Sequence, residues 1–388
     1  MFAIALADCI AHNNWRRYKV LWIIIFILIG YAIYSLTAVH YNKPAYIFTD
    51  IIIELKPFIP FVVFFAIRPE LTDKDKSIIK KICIVNCSII SIALFCGYEV
   101  IKLVIFHPMY CGLGIFVSCM FYLFVCLDKD NRPSKADIVT LLIFMTIGLL
   151  SNKTKYYGAY VVTLYFLFLY RPGIMRHFTI KQIVLIAILA GGVLAVSWNK
   201  IDFFFISGGG TTGFDPKVVE SFARPVLYVT GWQILFDHFP FGTGLASFAS
   251  AASIMNYSDV YYEYGINKVW GLLPDNPAFA CDTFYPSLAQ FGIFGPILFI
   301  WFWVYAYSYL RVLTRNDIRY YKYPFIIGSI IICSLLIEST TATTLTHNSG
   351  LLLMCLLGII CVYGDKIKDK QKIHKKEEDR KRTLLAKI

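Results

Sequence analysis

Asp282 is the first candidate for chemistry, because it stands directly before a long apolar segment. The stretch CDTFYPSLAQFGIFG, at 281–295, places this carboxylate at the start of a predicted membrane span. A carboxylate in that position can accept a proton from a substrate, as a general base does. It can equally cap the helix that follows, which would stabilise the fold by about 1 kcal/mol. On the residues alone the cap is the commoner role, and both interpretations remain open.

Arg224 is the second candidate, because it directly precedes Pro225, and proline is favoured at the first position of a helix. A positive charge is unfavourable there for the helix alone, since its unpaired N–H groups and dipole are already positive. An anion bound between the two would remove the conflict. The alternative is an ion pair between Arg224 and a nearby acid such as Glu220.

A helix is predicted over 225–238, ended by the Pro and Gly residues of FPFGTG at 239–244. Its amphipathic pattern predicts that one apolar side lies against the rest of the protein. Four residues at helical spacing form that side: Val226, Val229, Trp232 and Phe236.

Several other charges stand in apolar surroundings. Glu54 and Lys56 fall within the apolar segment 45–67, two positions apart, so they point to different faces and do not neutralise each other along one helix. Charges at that depth normally face the protein interior or a wet cavity. Structural partners or the lining of a groove are the two interpretations, and Pro57 and Pro60 predict a break in the helix.

Composition defines the class of protein. The 388 residues are 58% hydrophobic and 16% charged, whereas soluble domains average about 25% charged residues. Almost all of the eleven cysteines lie in apolar segments, where a thiol behaves as a small hydrophobic group, and no pair has zinc-binding spacing. These features predict an integral membrane protein without a disulfide framework, a metal site or a cofactor.

Ten apolar segments predict membrane-spanning helices in an all-α, polytopic bundle of about 10–12 helices. They are 19–39, 45–67, 82–106, 108–127, 137–151, 156–170, 181–198, 284–310, 323–341 and 348–363.

The basic residues set the orientation of these spans. Six segments that alternate correctly between them hold 28 of the 37 Lys and Arg residues, so by the positive-inside rule they are cytoplasmic. The net charge of +12 therefore reflects topology and the lipid bilayer, not a nucleic-acid partner. The predicted organisation comprises N-terminal spans (1–198), one large outer loop (199–283), C-terminal spans (284–363) and a basic cytoplasmic tail (364–388).

A family resemblance rests on the outer loop. The stretch R-P-x-L-Y-x-x-x-W…F-P-F-G-T-G, followed by D-T-F-Y-P-S-L-A-Q-F-G-I-F-G-P, resembles the O-antigen ligase and O-antigen polymerase superfamily. The matching residues are Arg224, Pro240, Gly242, Gly244, Gly292 and Gly295. Ligases of this superfamily usually carry a catalytic His-Asn pair where this chain has Asp282 and Thr283, so the resemblance favours polymerase-type members.

The resemblance implies a multi-pass protein of the bacterial inner membrane with a periplasmic loop and a cytoplasmic C-terminus. The implied activity is metal-independent glycosyl transfer from an undecaprenyl-pyrophosphate-linked oligosaccharide onto a lipid-linked repeat unit. It builds O-antigen or capsule-type polysaccharide, with a chain-length regulator and a flippase as further partners.

The resemblance also assigns roles to residues. Asp282 would be the catalytic base and Arg224 the group that neutralises the leaving pyrophosphate. Lys153 and Lys155, in the short outer turn SNKTK, would contact phosphate, unless they are simply solvated. Glu338 and His347 flank the last outer turn and are further candidate substrate contacts, where His347 would orient Asp282 or donate to phosphate. The alternative for His347 is a helix-capping or interfacial group.

Two other functions remain as alternatives. A ligase would move finished glycan to lipid A core or to a protein. A flippase or other transporter would use Glu54, Lys56 and Glu338 as an intramembrane relay, although the two halves of the sequence show no repeat of the kind common in transporters.

Overall fold

The computed structural model of this chain describes residues 1–105, 107–170, 191, 198, 223–316 and 319–385. Within these ranges the chain is mostly helical and contains no β-strand, which confirms the predicted all-α class for that part of the protein. The predicted span 181–198, apart from two isolated positions, and the first part of the predicted outer loop, 199–222, lie outside the described residues.

The α-helices within the described residues have the following bounds. They are α1 (Phe2–His12), α2 (Lys19–Tyr34), α3 (Pro44–Leu55), α4 (Phe58–Ile67), α5 (Asp73–Cys96), α6 (Tyr98–Ile105), α7 (Pro108–Val125), α8 (Lys135–Ile147), α9 (Thr154–Leu164), α10 (Ala223–Asp237), α11 (Ala251–Met255), α12 (Val260–Glu263), α13 (Phe284–Ser287), α14 (Phe294–Asn316), α15 (Lys322–Glu338) and α16 (Asn348–Leu385).

Several of these helices are suited to a membrane. Among the described residues four helical segments are long and apolar enough to cross one, and a fifth is added if α6 and the bent continuation into α7 count as a single span. The four are Lys19–Val39, Asp73–Cys96, Phe294–Arg315 and Asn348–Gln371. The protein is therefore a multi-pass membrane protein by helix length and composition. Within the described residues, the other predicted spans correspond to shorter or broken helices.

The predicted break near Pro57 is confirmed. Helix α3 ends at Leu55 and α4 begins at Phe58, because proline removes a backbone donor and clashes with the preceding turn. The predicted span 284–310 is also interrupted, which the sequence pattern missed. Gly292, with φ +53°, separates the short turns at 284–291 from α14, since a left-handed residue cannot continue a helix.

Close helix packing forms the centre of the fold. A Cβ on Gly358 of α16 would lie 2.5 Å from the Phe61 carbonyl oxygen of α4, and one on Gly364 would lie 2.2 Å from the Tyr309 carbonyl oxygen of α14. Both distances are shorter than real Cβ contacts, so these helices meet backbone to backbone. Small residues allow such an approach between membrane helices.

The prediction for the apolar side of α10 is wrong for three of its four residues. Val226 is buried, but Val229, Trp232 and Phe236 are exposed. The buried face is made instead by small and apolar side chains on another side of the helix: Val226, Leu227, Thr230, Gly231 and Ile234. Small residues here let α10 approach the 284–289 segment closely, and its bulkier apolar side chains face outward.

Candidate active site

Arg224 and Asp282 form a direct ion pair. The Arg224 Nε donates a hydrogen bond of 2.9 Å to Asp282 Oδ2, and Nη2 bonds to the same oxygen. Both bonds go to Oδ2, so Arg224 does not use Oδ1. The two side chains are 46% and 25% exposed. The site residues on which most of the predicted chemistry depends therefore touch each other at an accessible surface.

Asp282 does not act as the helix cap that was its alternative role. Thr283 occupies the position before α13, and no side chain caps that helix. The Asp282 backbone N–H bonds to the Phe279 carbonyl, while its side chain is engaged by Arg224. The carboxylate is thus held by an ion pair at the surface and not by the helix that follows it.

Three chain segments are tied together around this pair. The Tyr228 hydroxyl, one turn after Arg224 on α10, donates to the Thr340 carbonyl at 2.8 Å. The Tyr285 hydroxyl donates to the Leu336 carbonyl at 2.7 Å, and the Phe284 N–H bonds to the Ser339 carbonyl at 3.3 Å. Both members of the ion pair are therefore anchored to the end of α15 within a few residues of their own positions.

Lys155 and Glu338 form a second, buried ion pair. Their Nζ and Oε2 atoms are 2.9 Å apart, and their side chains are only 11% and 8% exposed. The Thr344 hydroxyl donates a further hydrogen bond of 2.8 Å to Glu338 Oε2. Two residues predicted separately as substrate contacts are thus partners of each other, at the junction of α9 and α15.

His347 lies in the same neighbourhood. It is an exposed residue directly before α16, with Nε2 3.3 Å from the Thr343 hydroxyl oxygen. The surrounding protein still desolvates the ring enough to lower the pKa of His347, and the positive charges of Lys56 and Lys155 lower it further. The negative charge of Asp282 acts in the opposite direction. The charges of Lys56, Lys155 and Asp282 therefore all act on His347.

Lys56 is a member of this cluster that was not among the predicted site residues. It lies at the end of α3, is exposed, and is close enough to His347 to influence its protonation. The position of Lys56 in an apolar segment was the sequence signal for it. Lys153, by contrast, lies close enough to Cys111 on α7 for its charge to act on that thiol.

Glycines in the two motifs that carry the family resemblance hold these two chain segments together. A Cβ on Gly242, where φ is +76°, would lie 2.3 Å from the Ala289 carbonyl oxygen, and one on Gly292 would lie 2.2 Å from the Pro240 carbonyl oxygen. The Ile293 N–H also bonds to the Pro240 carbonyl at 3.1 Å. The two motifs are therefore in direct backbone contact, which a side chain at Gly242 or Gly292 would prevent.

An apolar cavity of about 380 Å³ lies between α10 and the 285–300 segment, and its lining includes neither Arg224 nor Asp282. Tyr228, one turn from Arg224, and Tyr285, three residues after Asp282, stand at its wall. The other lining residues are Gly231, Trp232, Leu235, Pro286, Leu288, Ala289, Pro296, Phe299, Ile300 and Leu336. The site thus combines charged groups with an adjoining surface suited to a hydrocarbon chain.

No protein-family model matches this sequence, and neither does any curated protein sequence.

Proposed function

We propose that this protein is a polysaccharide polymerase of the bacterial inner membrane. It transfers a glycan from undecaprenyl pyrophosphate onto a lipid-linked repeat unit at the periplasmic face. The observation that carries the proposal is the contact between Arg224 and Asp282, with an apolar cavity that begins at Tyr228, one helical turn from Arg224. This arrangement supplies a cation for a diphosphate, a base for a hydroxyl and a surface for a polyprenyl chain within one small region.

The ion pair suggests how substrate binding activates the base. In the resting protein Arg224 neutralises Asp282. A diphosphate carries more negative charge than a carboxylate and offers oxygens that match the guanidinium fork. A bound donor therefore competes for Arg224, and its arrival frees Asp282 to accept a proton. The base becomes available only when a donor is present.

Each group in the proposed transfer reaction has a defined role. The acceptor hydroxyl oxygen attacks the anomeric carbon of the donor sugar, and its proton passes to Asp282. The bond between that carbon and the diphosphate oxygen breaks, and the lipid diphosphate leaves with the electron pair. Arg224 stabilises the charge that develops on it. Lys56 can add to this field, since its charge and that of Asp282 both act on His347, whereas the lowered pKa of His347 keeps its ring neutral near pH 7.

The ion pair between Lys155 and Glu338 has a supporting role in this proposal. Because Glu338 already engages Lys155, the lysine reaches a phosphate only by exchanging partners or acts through its charge alone.

Three apolar residues of α10 are exposed: Val229, Trp232 and Phe236. Their exposure is accounted for if this helix rests in the outer leaflet, where the polyprenyl chain of the donor would enter.

The polymerase and its alternatives differ in the glycans that accumulate when the gene is deleted. Loss of a polymerase leaves a single repeat unit on the final acceptor. Loss of a ligase strands long polymer on undecaprenyl pyrophosphate, and loss of a flippase leaves lipid-linked repeats on the cytoplasmic side. A deletion strain complemented with the wild-type chain is the control. A full-length ladder in the deletion strain would overturn the proposal.

A further inference from the structure

Asp50 and Glu54 are two buried acids that the proposed reaction does not use. They lie four residues apart on α3 and so share one face of the helix. Asp50 is 0% exposed and Glu54 is 8% exposed. Two carboxylates buried side by side are very unfavourable unless each is neutralised or paired.

Asp50 is held by one backbone donor and by polar side chains. The backbone N–H of Ala246 donates to Oδ2 at 2.6 Å, and the side chains of Ser250 and Gln290 face the same carboxylate. The second oxygen, Oδ1, is buried without a hydrogen-bond partner. The Gln290 Nε2 amide is also buried without a partner and lies at this carboxylate, so a donor for Asp50 is already close by.

Glu54 lies in apolar surroundings. It lines a pocket with Phe58, Phe284 and Phe302, and the charged group that acts on it is Asp50. Lys56, two positions further on, belongs instead to the cluster around His347. Among the described residues, no ion pair involves Glu54. A carboxylate in this setting lacks any group to balance its charge, whereas a carboxylic acid does not need one.

We infer that Asp50 and Glu54 form a proton-binding site, in which one proton is held on Glu54 and shared with Asp50. A protonated Glu54 becomes an O–H donor one helical turn from the unpartnered Oδ1 of Asp50. The proton thus removes the uncompensated charge of Glu54. The inference stands on these contacts and does not depend on the proposed glycosyl transfer.

Protonation of this site is coupled to the position of the loop that follows α10. Asp50 holds the Ala246 N–H, while Gln290 Oε1 accepts from the Ser247 N–H at 2.9 Å. Loss of the proton places a second negative charge beside this contact and weakens the seating of 246–250 on α3. Protonation therefore stabilises this loop in its observed position.

A hydrophobic carbodiimide tests the site on the full-length protein in lipid vesicles. Dicyclohexylcarbodiimide reacts with a carboxylic acid: the acid proton goes to a carbodiimide nitrogen, the carboxyl oxygen bonds to the central carbon, and the adduct rearranges to a stable N-acylurea. Peptide mass spectrometry locates the product. We expect modification at Glu54 that declines as the pH is raised from about 5 to about 9. Glu338, which is paired with Lys155, is an internal control that should stay unmodified.

Two further measurements decide whether the proton is shared. In Asp50→Asn the anion that favours a proton on Glu54 is gone, so labelling should be lost at a lower pH than in the wild-type protein. Glu54→Gln, a neutral mimic, should remove the label and keep the wild-type thermal midpoint at neutral pH. Absence of Glu54 labelling at every pH, or an unshifted profile in Asp50→Asn, overturns the inference. Protection of Glu54 by sodium ions at constant pH also overturns it, since the occupant is then a metal cation.

Discussion

Arg224 and Asp282 are 58 residues apart in the sequence, yet Nε of one lies 2.9 Å from Oδ2 of the other. Partly exposed ion pairs of this kind contribute little to folding stability, typically about 0.2–1 kcal/mol. The residues around them are nevertheless anchored by three hydrogen bonds to the 336–340 segment. A well-positioned but weakly stabilising pair is suited to exchanging partners with a substrate.

Arg224→Lys tests whether the shape of the guanidinium matters as well as its charge. Lysine keeps the charge but cannot bind a diphosphate through two parallel N–H groups. We expect polymer formation to fall about 10- to 100-fold, the equivalent of one or two strong charge-assisted hydrogen bonds, with no change in protein level. The measurement is the rate of chain growth on lipid-linked repeats. Arg311→Lys, at an exposed position, is the control, and wild-type rates in Arg224→Lys would exclude a role for the fork.

The ion pair between Lys155 and Glu338 allows stability to be separated from function. Glu338→Ala leaves the lysine charge buried and unpaired, and we expect a loss of about 3–5 kcal/mol in the free energy of unfolding. The double variant Lys155→Met, Glu338→Met should recover most of that loss, because similar apolar side chains replace a buried pair with little penalty. Thermal unfolding in detergent is the measurement. A double variant as unstable as Glu338→Ala would contradict this account.

Activity of the same double variant reports on Lys155. If its charge assists diphosphate binding, the stable double variant remains impaired in polymer formation. If the pair is only structural, activity returns together with stability.

Gly242→Ala tests the backbone contact between the two glycine-containing motifs. The added Cβ would meet the Ala289 carbonyl at 2.3 Å in a backbone conformation that favours glycine. Overpacking against backbone typically costs about 1–3 kcal/mol, so the melting temperature should fall and activity should be lost with the fold. Gly30→Ala, where an added Cβ meets no atom within 4 Å, should be neutral or slightly stabilising. Equal melting temperatures for the two variants would contradict the close backbone contact between the two segments.

The pKa of His347 gives a pH dependence with a defined sign. Burial and neighbouring lysines lower this pKa below its usual value of about 6.5. Because the unfolded state then binds the proton more readily, the contribution of His347 is complete above about pH 6.5 and is lost as the pH falls from there toward the lower folded-state pKa. Thermal midpoints across this range should decline less in His347→Gln than in the wild-type protein. The same decline in both would contradict the assignment.

Local features of the fold were predictable from the sequence. The break at Pro57 followed from proline chemistry, and the all-α class followed from the apolar segments. The orientation of α10 was not predictable from periodicity alone, because two of its faces are apolar. Burial selected the face with Thr230 and Gly231, whose small side chains permit close packing, and left Trp232 and Phe236 outside.

The candidate site was predictable in part. Asp282 and Arg224 stood out because each charge was locally unfavourable, but nothing local indicated that they touch. The pairing of Lys155 with Glu338, 183 positions apart, depends on how α9 meets α15 and leaves no trace in either segment. Asp50 was missed because the sequence contains no sign of the Ala246 N–H that binds it.

Replacing Asp282 by Asn is the most direct test of the central claim. The amide keeps the size and polarity of the side chain and removes its ability to accept the hydroxyl proton. Purified wild-type protein, Asp282→Asn and the control Asp275→Asn, at an exposed position of the same loop, are each supplied with lipid-linked repeats, and the chain length of the product is measured. The account predicts long polymer from the wild type and the control but only single repeats from Asp282→Asn, with equal yields of folded protein. Long polymer from Asp282→Asn would contradict it.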